Sequence, residues 1–404
     1  MRICIVTHCF VLTDGQGRIN YEIARYLSRK GHEMVLVSTM IDPMLARLPN
    51  ITWVEVPIPE KVPTALLRNA IFSRRARRLL AADKRGVDIL QVNGDIVSLP
   101  SDVNVANFVH SNWIKSSFHA TYRRDGFYAL YLQLYSRLHA HSERWAFRRS
   151  HRAVAPSSMV RDSLISDAGI PAEQIEIISP GVDIDQFRPS IAGEPNLLGE
   201  LIGVSDREFV IMFAGDLRSN RKNLDLVIQA MLQLGPECHL VCAGASERSP
   251  YPAMVASLGL SSRVHFIGKR ADLGNLFRGA NVFAFPSHYD PFALVITEAM
   301  ASGLPVITTP TTGASTFIER GVNGFVLKDS NDLDGMAMTL KRLNADRDLA
   351  AAMGKAARAT AREWTWEKMA YSYESLYKMV VSEKRNVIDH RPASAFPTTY
   401  IEAD

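Results

Sequence analysis

Cysteine is scarce in this sequence, with four residues among 404, and no two of them form a Cys-x-x-Cys pair. This scarcity argues against a disulfide scaffold, a zinc ribbon and a thioredoxin-type redox site. Long apolar runs are missing as well. The longest uncharged stretch, residues 299–318, is rich in Gly, Pro and Thr and makes a poor membrane span. The apolar run at the start is too short for a secretory leader.

These absences predict a soluble protein of a reducing, cytoplasmic compartment, with a peripheral position on the inner face of the cytoplasmic membrane as the alternative. The apolar fraction of 47% and the charged fraction of 22% are typical of globular proteins. They argue against wholesale disorder, collagen-like repeats and coiled coils. A length of 404 residues predicts two domains.

The first forty residues follow a strand–helix–strand pattern. Arg2–Val6 is a short apolar run that predicts a buried strand. After a Gly-rich loop, Ile19, Ile23 and Leu27 recur at helical spacing, and Gly31 is placed to end that helix. A second apolar strand follows. Such a unit implies a parallel sheet flanked by helices.

The same alternation repeats along the chain. A helix is predicted over residues 127–149, and a Pro- and Gly-rich linker at Arg188–Asp206 separates two strand–helix series. The predicted organisation is a first domain at 1–187, a second at 188–365, a helix at 366–384 that returns to the first domain, and a mobile tail at 385–404. Further predicted strands are Ile51–Val56, Val87–Val92, Val103–Phe108, Ile175–Ile178, Phe209–Ala214, Cys238–Ala243, Arg263–Ile267, Val282–Phe285 and Pro305–Thr309. Further predicted helices are Leu224–Leu234, Tyr251–Leu258, Leu273–Gly279 and Leu294–Ser302.

The segment from Ser287 to Met300 carries the most chemistry. A strand ends, a turn contains Asp290, and a helix is predicted to begin near Phe292. The first amides of a helix lack helical partners and attract a phosphate. Asp290 and Glu298 are eight residues apart, which suits one carboxylate at each end of a nucleoside diphosphate sugar. The alternative is an ordinary helix start followed by an exposed Glu.

Three further segments follow predicted strands. Arg218, Arg221 and Lys222 crowd one loop, where they would neutralise a diphosphate or simply remain solvated. The Gly-rich loop at residues 14–17 is either a phosphate-approaching loop or a tight turn. His110 lies at a strand end and is either a cleft residue or a hydrogen-bonded structural one.

The remaining charged motifs allow weaker interpretations. The run from Ser73 to Arg85 is either a solvated helix face or a contact for an anionic lipid surface or acceptor. Its four clustered arginines are Arg74, Arg75, Arg77 and Arg78. No aromatic-interleaved motif accompanies them, so nucleic acid is not expected. Asp183/Asp185 and Asp332/Asp334 are weak candidates for a metal site, and no metal is expected.

Taken together, these segments resemble the family 4 retaining glycosyltransferases with the GT-B fold. The resemblance extends from Met1 to about Val381 and is strongest in PSHYDPFALVITEAMASGLPVI, residues 286–307. Ile178–Asp183 with Phe187 and the Phe266–Gly268 strand also match that family's pattern. The resemblance implies an α/β protein with two Rossmann-like domains, whose parallel sheets face each other across a cleft.

The resemblance also implies a role for each candidate. Asp290 would bind the donor sugar and Glu298 the ribose, and Lys222 would pair with the phosphates. His110 would lie beside the sugar. The remaining donor-binding residues would be Gly15, Gly17, Arg221, Lys269 and the amides of Phe292, Ala293, Leu294 and Val295.

The sequence departs from the family pattern at three positions. Asp290 replaces a Glu, Ala293 replaces a Gly, and Asp216 stands where a phosphate-binding Arg is common. We therefore expect Arg218, with Arg221 as the alternative, to supply the missing cation, as part of the catalytic set with Asp290, His110 and Lys222.

The implied function is transfer of a sugar from a UDP- or GDP-sugar to a hydroxyl of a glycan or glycolipid, in envelope polysaccharide, lipopolysaccharide or glycolipid synthesis. No further cofactor is implied. The alternatives are a GT-B-like sugar-nucleotide 2-epimerase and a non-catalytic degenerate scaffold.

Overall fold

The first strand of the chain is apolar on both faces. In β1 (Arg2–Val6), Ile3 and Ile5 face one core cluster, whereas Cys4 and Val6 face another. A strand buried on both sides belongs inside a parallel sheet with helices on both faces. The computed structural model describes residues 1–82, 86–116, 118–119 and 126–389 and shows this arrangement twice.

Fifteen strands are found in the described residues. The others are β2 (Cys9–Phe10), β3 (Glu33–Ser38), β4 (Met40–Ile41), β5 (Ile51–Glu55), β6 (Ile89–Asn93), β7 (Ser101–Val105), β8 (Ser150–Ala155), β9 (Ile175–Ile177), β10 (Phe209–Ala214), β11 (Cys238–Ala243), β12 (Val264–Gly268), β13 (Val282–Phe285), β14 (Val306–Thr308) and β15 (Gly324–Val326).

Fourteen α-helices are found in the same residues. They are α1 (Gly15–Arg29), α2 (Pro43–Ala46), α3 (Ala65–Ala82), α4 (His110–Lys115), α5 (Phe127–Arg148), α6 (Ser158–Ser163), α7 (Leu197–Ile202), α8 (Leu224–Met231), α9 (Tyr251–Ser257), α10 (Leu273–Phe277), α11 (Leu294–Ala301), α12 (Leu333–Ala345), α13 (Arg347–Ala361) and α14 (Trp366–Asp389).

The two large sheets are both parallel. The first has seven strands in the order β5-β3-β1-β6-β7-β8-β9, and the second has six in the order β12-β11-β10-β13-β14-β15. A small sheet pairs β2 with β4. The α/β fold with two parallel-sheet domains is thus confirmed. Ligands of such sheets bind at the carboxyl ends of the strands.

Helix α1 begins earlier than the sequence predicts. The Gly-rich loop is its first turn, because the Asp14 side chain accepts a hydrogen bond from the Gly17 amide at 2.7 Å and caps the helix at Gly15. At the other end, Gly31 has φ +84°, which agrees with its predicted role as the residue after the helix.

The chain crosses between the domains twice, and the two crossings lie side by side. Val182 forms an isolated parallel bridge with Thr365, and its amide donates to the Trp364 carbonyl at 2.9 Å. The approach is so close that a Cβ on Gly181 would lie 2.3 Å from the Trp366 nitrogen. After this crossing α14 packs on α1 and enters the first core.

Several expected boundaries shift. Val182 already packs in the second core, five residues before the predicted boundary at 187, and Phe187 at that boundary packs there as well. The predicted linker contains α7, which Asn196 caps by accepting from the Gly199 amide. Residues 385–389 are helical, so the predicted tail at 385–404 begins inside α14, and its residues 390–404 lie outside the described residues. The short strand β15 and the 15-residue helix α13 were not predicted.

Candidate functional site

A cavity of about 630 Å³ lies between the two domains. This volume is in the range of small-molecule sites. The first domain contributes Gly15 and Gln16, at the start of α1. The second domain contributes the loop after β10 and the segment from Asp290 to Glu298, after β13. Both contributions follow strand carboxyl ends, as the fold requires for a ligand site.

Two helix starts face this cavity from opposite domains. Among the described residues, no acceptor meets the amides of Gly15 and Gln16 in α1, or those of Leu294 and Val295 in α11. A helix start carries partial positive charge and binds anions. A Cβ on Gly15 would lie 3.8 Å from Leu294 Cδ1, so the two helix starts nearly touch. Together they form a cradle for a phosphate group.

The turn before α11 differs from the predicted one. The helix begins at Leu294 and not near Phe292, because Ala293 adopts left-handed backbone angles with φ +70°. The Phe292 amide donates to Asp290 Oδ1 at 3.2 Å and is therefore already occupied. Of the four amides expected to meet the donor, those of Ala293, Leu294 and Val295 have no acceptor in the described part of the chain.

Lys222 and Asp290 form a buried ion pair inside the cavity. Burial raises the pKa of the Asp290 carboxyl, but Lys222 and Arg221 outweigh it, so this pKa is lowered and the carboxylate is ionised. Burial lowers the pKa of the Lys222 ammonium. The Lys222 Nζ also lies 5.3 Å from the Phe285 ring centroid. The pair thus places one positive and one negative group at the same wall.

Glu298 lies at the other end of this wall, on α11. Its carboxyl accepts no hydrogen bond from the described residues. Burial raises its pKa to about 7, and the nearby Arg18 counteracts this only in part. An unpaired carboxyl that faces a cavity is available to accept hydrogen bonds from a ligand's hydroxyls.

The basic loop after β10 is arranged differently from the expectation. Arg218 does not stand free as a phosphate cation, because its guanidinium makes two hydrogen bonds to the Asp216 carboxylate, at 2.9 and 3.1 Å. Asp216 is two residues away in the sequence, so its carboxylate lies within reach of both N–H donors of the planar Arg218 guanidinium. Arg221 instead donates to the Tyr289 carbonyl at 3.2 Å and stays beside Asp290. Both arginines line the cavity.

The other candidates divide into two groups. Lys269 lines the cavity with Gly15. Gly17 does not, because it packs inside the first domain, where a Cβ would lie 3.0 Å from Cys9 Sγ. His110 is also absent from the wall of this cavity, but it lines a neighbouring one.

The neighbouring cavity, of about 130 Å³, contains a cluster that the sequence did not reveal. His110 Nδ1 pairs with Glu143 Oε1 at 2.5 Å, and His139 Nδ1 pairs with Asp95 Oδ2 at 2.7 Å. Glu143 is the single acidic residue of α5, and it is buried. A single carboxylate in a helix rich in aromatic residues is the one signal in the sequence, and it does not identify the partners of that carboxylate.

No metal site emerges from the described residues, where no group of three His, Cys, Asp or Glu side chains could hold an ion. Asp183 accepts from the amides of Asp185 and Gln186 in a turn. Asp332 caps α12 by accepting from the Gly335 amide. Within the part of the chain described, no helix has both the length and the hydropathy to cross a membrane.

Sequence comparison matches both halves of the chain. Residues 13–186 match Glycosyltransferase Family 4, and residues 202–360 match Glycosyl transferases group 1. A curated relative, the D-inositol 3-phosphate glycosyltransferase of Xylanimonas cellulosilytica, is 31% identical over 245 residues. That match spans 58% of this chain and 58% of the relative. The chain thus spans little more than half the length of the curated relatives it matches.

Solved structures share the fold over nearly the whole chain. WaaG, a glycosyltransferase involved in lipopolysaccharide biosynthesis, superimposes with a TM-score of 0.75 at 20% identity, covering 94% of this chain and 99% of its own. Anabaena HepE in complex with UDP-glucose gives a TM-score of 0.68 at 20% identity, covering 96% and 100%. With both halves matched and the architecture shared, this chain belongs to the GT-B glycosyltransferases, a family 4 module followed by a group 1 module.

Proposed function

We propose that the protein is a retaining glycosyltransferase that moves a sugar from a nucleoside diphosphate sugar to a hydroxyl of a glycan or glycolipid. One observation carries the proposal: two helix starts and the Lys222 ammonium face the same cavity as the unpaired Glu298 carboxyl. Cationic and amide donors at the centre suit a diphosphate. A carboxyl at one end suits the hydroxyls of a ribose.

The binding mode follows from these positions. The ribose hydroxyls donate to Glu298, and the diphosphate lies between the amides of α1 and α11. The sugar then lies against Asp290, whose ionised carboxylate accepts its hydroxyls. Lys269 borders the base. The HepE structure, which contains UDP-glucose, supports UDP as the nucleotide. At 20% sequence identity, the likeness itself shows only the fold. GDP remains the alternative.

The reaction breaks the bond between the sugar C1 and the β-phosphate oxygen and forms a bond between C1 and the acceptor oxygen. The acceptor proton passes to the departing phosphate, so the products are a glycoside and a nucleoside diphosphate. Charge grows on the leaving phosphate in the transition state, where Lys222 and the two helix starts stabilise it. Attack on the face that the phosphate leaves retains the anomeric configuration. Closure of the two domains would limit hydrolysis of the donor.

The test is donor turnover by the purified chain with UDP-, GDP- and ADP-sugars, with and without a mixture of sugar acceptors. We expect acceptor-dependent release of one nucleoside diphosphate and a product of retained anomeric configuration by NMR. Glu298→Ala should raise the donor KM about tenfold or more, because hydrogen bonds to a charged acceptor are lost. The matched control is Glu200→Ala, an exposed carboxylate of the same domain.

Each rival gives a different result in this assay. A sugar-nucleotide 2-epimerase would convert the donor to its epimer without any acceptor. A degenerate scaffold would show neither turnover nor a change of donor binding in Glu298→Ala. An inverted product would contradict only the retaining mechanism. The WaaG likeness supports an envelope glycan or lipid-linked acceptor, and it does so by analogy of fold alone.

The acceptor side of the molecule also suits an anionic membrane surface on the cytoplasmic side. Helix α3 contains no Asp or Glu, and it exposes Arg74, Arg77 and Arg78 while Arg75 donates to the Pro57 carbonyl. Helix α5 exposes an apolar stripe at helical spacing, in which Phe127 is 93% and Leu130 is 62% exposed. The stripe continues through Leu134 and Leu138. An apolar face together with clustered basic residues is typical of interfacial helices.

Vesicle co-sedimentation tests this partner. We expect binding to phosphatidylglycerol-containing vesicles and none to pure phosphatidylcholine. Replacing Arg74, Arg77 and Arg78 by Ala should weaken binding by about 1 kcal/mol per residue. The control is Lys341→Ala with Lys355→Ala, two exposed cations of the second domain. Equal binding to both vesicle types would contradict the proposal.

A further inference from the structure

The cavity of about 130 Å³ adjoins the large one at the carboxyl end of the first sheet. Gln16, Asn107 and Phe108 belong to the walls of both cavities. Phe108 packs edge-on against Tyr289 at 5.1 Å, beside the Asp290 carboxylate that faces the donor sugar. A group held in the small cavity therefore lies next to the sugar end of the large one.

Two histidine–carboxylate pairs form one wall of the small cavity. The rings of His110 and His139 stack with centroids 4.9 Å apart and an interplanar angle of 22°. Each ring pairs with a carboxylate through its Nδ1 atom: His110 with Glu143, and His139 with Asp95. Glu143 Oε2 also accepts the His110 amide at 2.9 Å, which fixes the orientation of this pair.

In the part of the chain that the structure describes, the lining of the small cavity is rich in hydrogen-bonding groups and poor in positive charge. Amides and a phenol complete its wall, from Asn69, Asn93 and Tyr135. Among the described residues, no Lys or Arg lines it. Arg68 is near enough to lower the pKa of His8, after the larger effect of burial, but it does not form part of the wall.

The charge balance of this wall disfavours a phosphate. The carboxylates of Asp95 and Glu143 balance the two imidazoles, so the two ionised pairs carry no net positive charge. The pKa of the third imidazole, that of His8, is lowered, chiefly by desolvation, which favours its neutral form. A phosphate monoester brings about −1.5 to −2 charge and would lose its hydration beside two carboxylates. A neutral polyol can instead donate to the carboxylates and accept from the amides.

We propose that this small cavity is the acceptor subsite and that it takes an uncharged sugar or polyol ring, not a phosphorylated one. The proposal rests on the proposed glycosyl transfer. It separates this chain from the relative from Xylanimonas cellulosilytica, whose name specifies an inositol 3-phosphate acceptor. The Asp95 carboxylate accepts the acceptor hydroxyls, and His139 binds them where they replace its long contact to the Asn69 amide, 3.4 Å from Nε2. The donor sugar lies on the other side of Phe108.

The experiment compares acceptors that differ only in a phosphate. UDP-glucose and GDP-mannose are each offered with myo-inositol against inositol 3-phosphate, and with glucose and mannose against their 6-phosphates. Release of nucleoside diphosphate above the acceptor-free rate is measured. We expect the neutral member of a pair to be used at least tenfold better by kcat/KM. Preferential use of any phosphorylated member, or no stimulation by any neutral one, overturns the proposal.

Variants then assign the effect to the cavity. Asp95→Asn and His139→Gln should each lower the acceptor kcat/KM about ten- to a hundredfold, while the donor KM stays within twofold. Asp162→Asn, an exposed carboxylate of the same domain, is the control. Circular dichroism and unchanged UDP affinity show that the variants fold. Unchanged acceptor kinetics in both variants would overturn the subsite, whereas absence of binding of UDP, GDP and ADP alike by the wild-type chain would overturn the proposed function itself.

Discussion

Replacing Glu298 by Gln should make the stability of the protein less dependent on pH. Burial raises the pKa of this carboxyl from 4.5 to about 7 in the folded protein. In the unfolded chain it ionises at its ordinary pKa. Between these values the unfolded chain releases a proton that the folded protein keeps, so the free energy of unfolding falls as the pH rises and then levels off. At about 1.36 kcal/mol per pKa unit, the full cost above pH 7 is about 3 kcal/mol.

The Glu298→Gln variant keeps the shape of the side chain and has no ionisation cost. We expect it to be more stable than the wild type at pH 8 by up to about 3 kcal/mol, and by less than about 1 kcal/mol at pH 5. Urea titrations followed by circular dichroism at the two pH values measure this difference. Glu200→Gln, at an exposed position of the same domain, is the control.

Ligand binding should move in the opposite direction. A ribose hydroxyl donates more strongly to an ionised carboxylate, so UDP affinity of the wild type should fall as the pH drops below 7. In Glu298→Gln the affinity should be weaker at pH 8 and nearly independent of pH. A variant no more stable than the wild type at pH 8, or equally stabilised at both pH values, would refute the argument that burial dominates this carboxyl.

Three other substitutions test the site and the fold. Ala293→Gly should stabilise the protein by about 0.5–1 kcal/mol by relieving the left-handed backbone at φ +70°, measured by thermal unfolding; destabilisation would contradict this. Arg221→Ala should lower kcat more than Arg218→Ala, because Arg218 is held by Asp216; the reverse order would restore Arg218 as the phosphate cation. Gly181→Ala should lower both the melting temperature and the turnover, because its Cβ would collide with the backbone of α14. A Tm within 1 °C of the wild type, about the resolution of such a comparison, would show that the crossing shifts to accommodate the methyl group.

The sheets were predictable because buried parallel strands are continuous apolar runs, as in Phe209–Ala214, whose predicted and observed bounds coincide. The shared location of Asp290, Lys222 and Glu298 was predictable for a related reason, since strand ends converge at one edge of a sheet. The pairing of Arg218 with Asp216 was not, because a loop sequence does not fix the rotamer of a long side chain. The start of α11 was misplaced because the left-handed Ala293 breaks the usual preference of its residue type.

The small cavity was beyond sequence reasoning for a different reason. Asp95, His110 and His139 come from three elements that only the folded first sheet brings together. Each residue, taken by itself, is compatible with an ordinary structural histidine or a solvated carboxylate. The stacking of the two rings and their pairing with carboxylates depend on the tertiary structure, so no local periodicity or spacing in the sequence predicts them.

The side-by-side crossings at Val182 and Thr365 have a mechanical consequence. Because the two crossing segments are bridged to each other, a displacement of one domain relative to the other must bend both segments at once. This favours rotation about an axis through the paired crossings over independent sliding of the domains. A rotation of this kind, when reversed, returns α1 and α11 to the contact seen here, where a Cβ on Gly15 would lie 3.8 Å from Leu294 Cδ1.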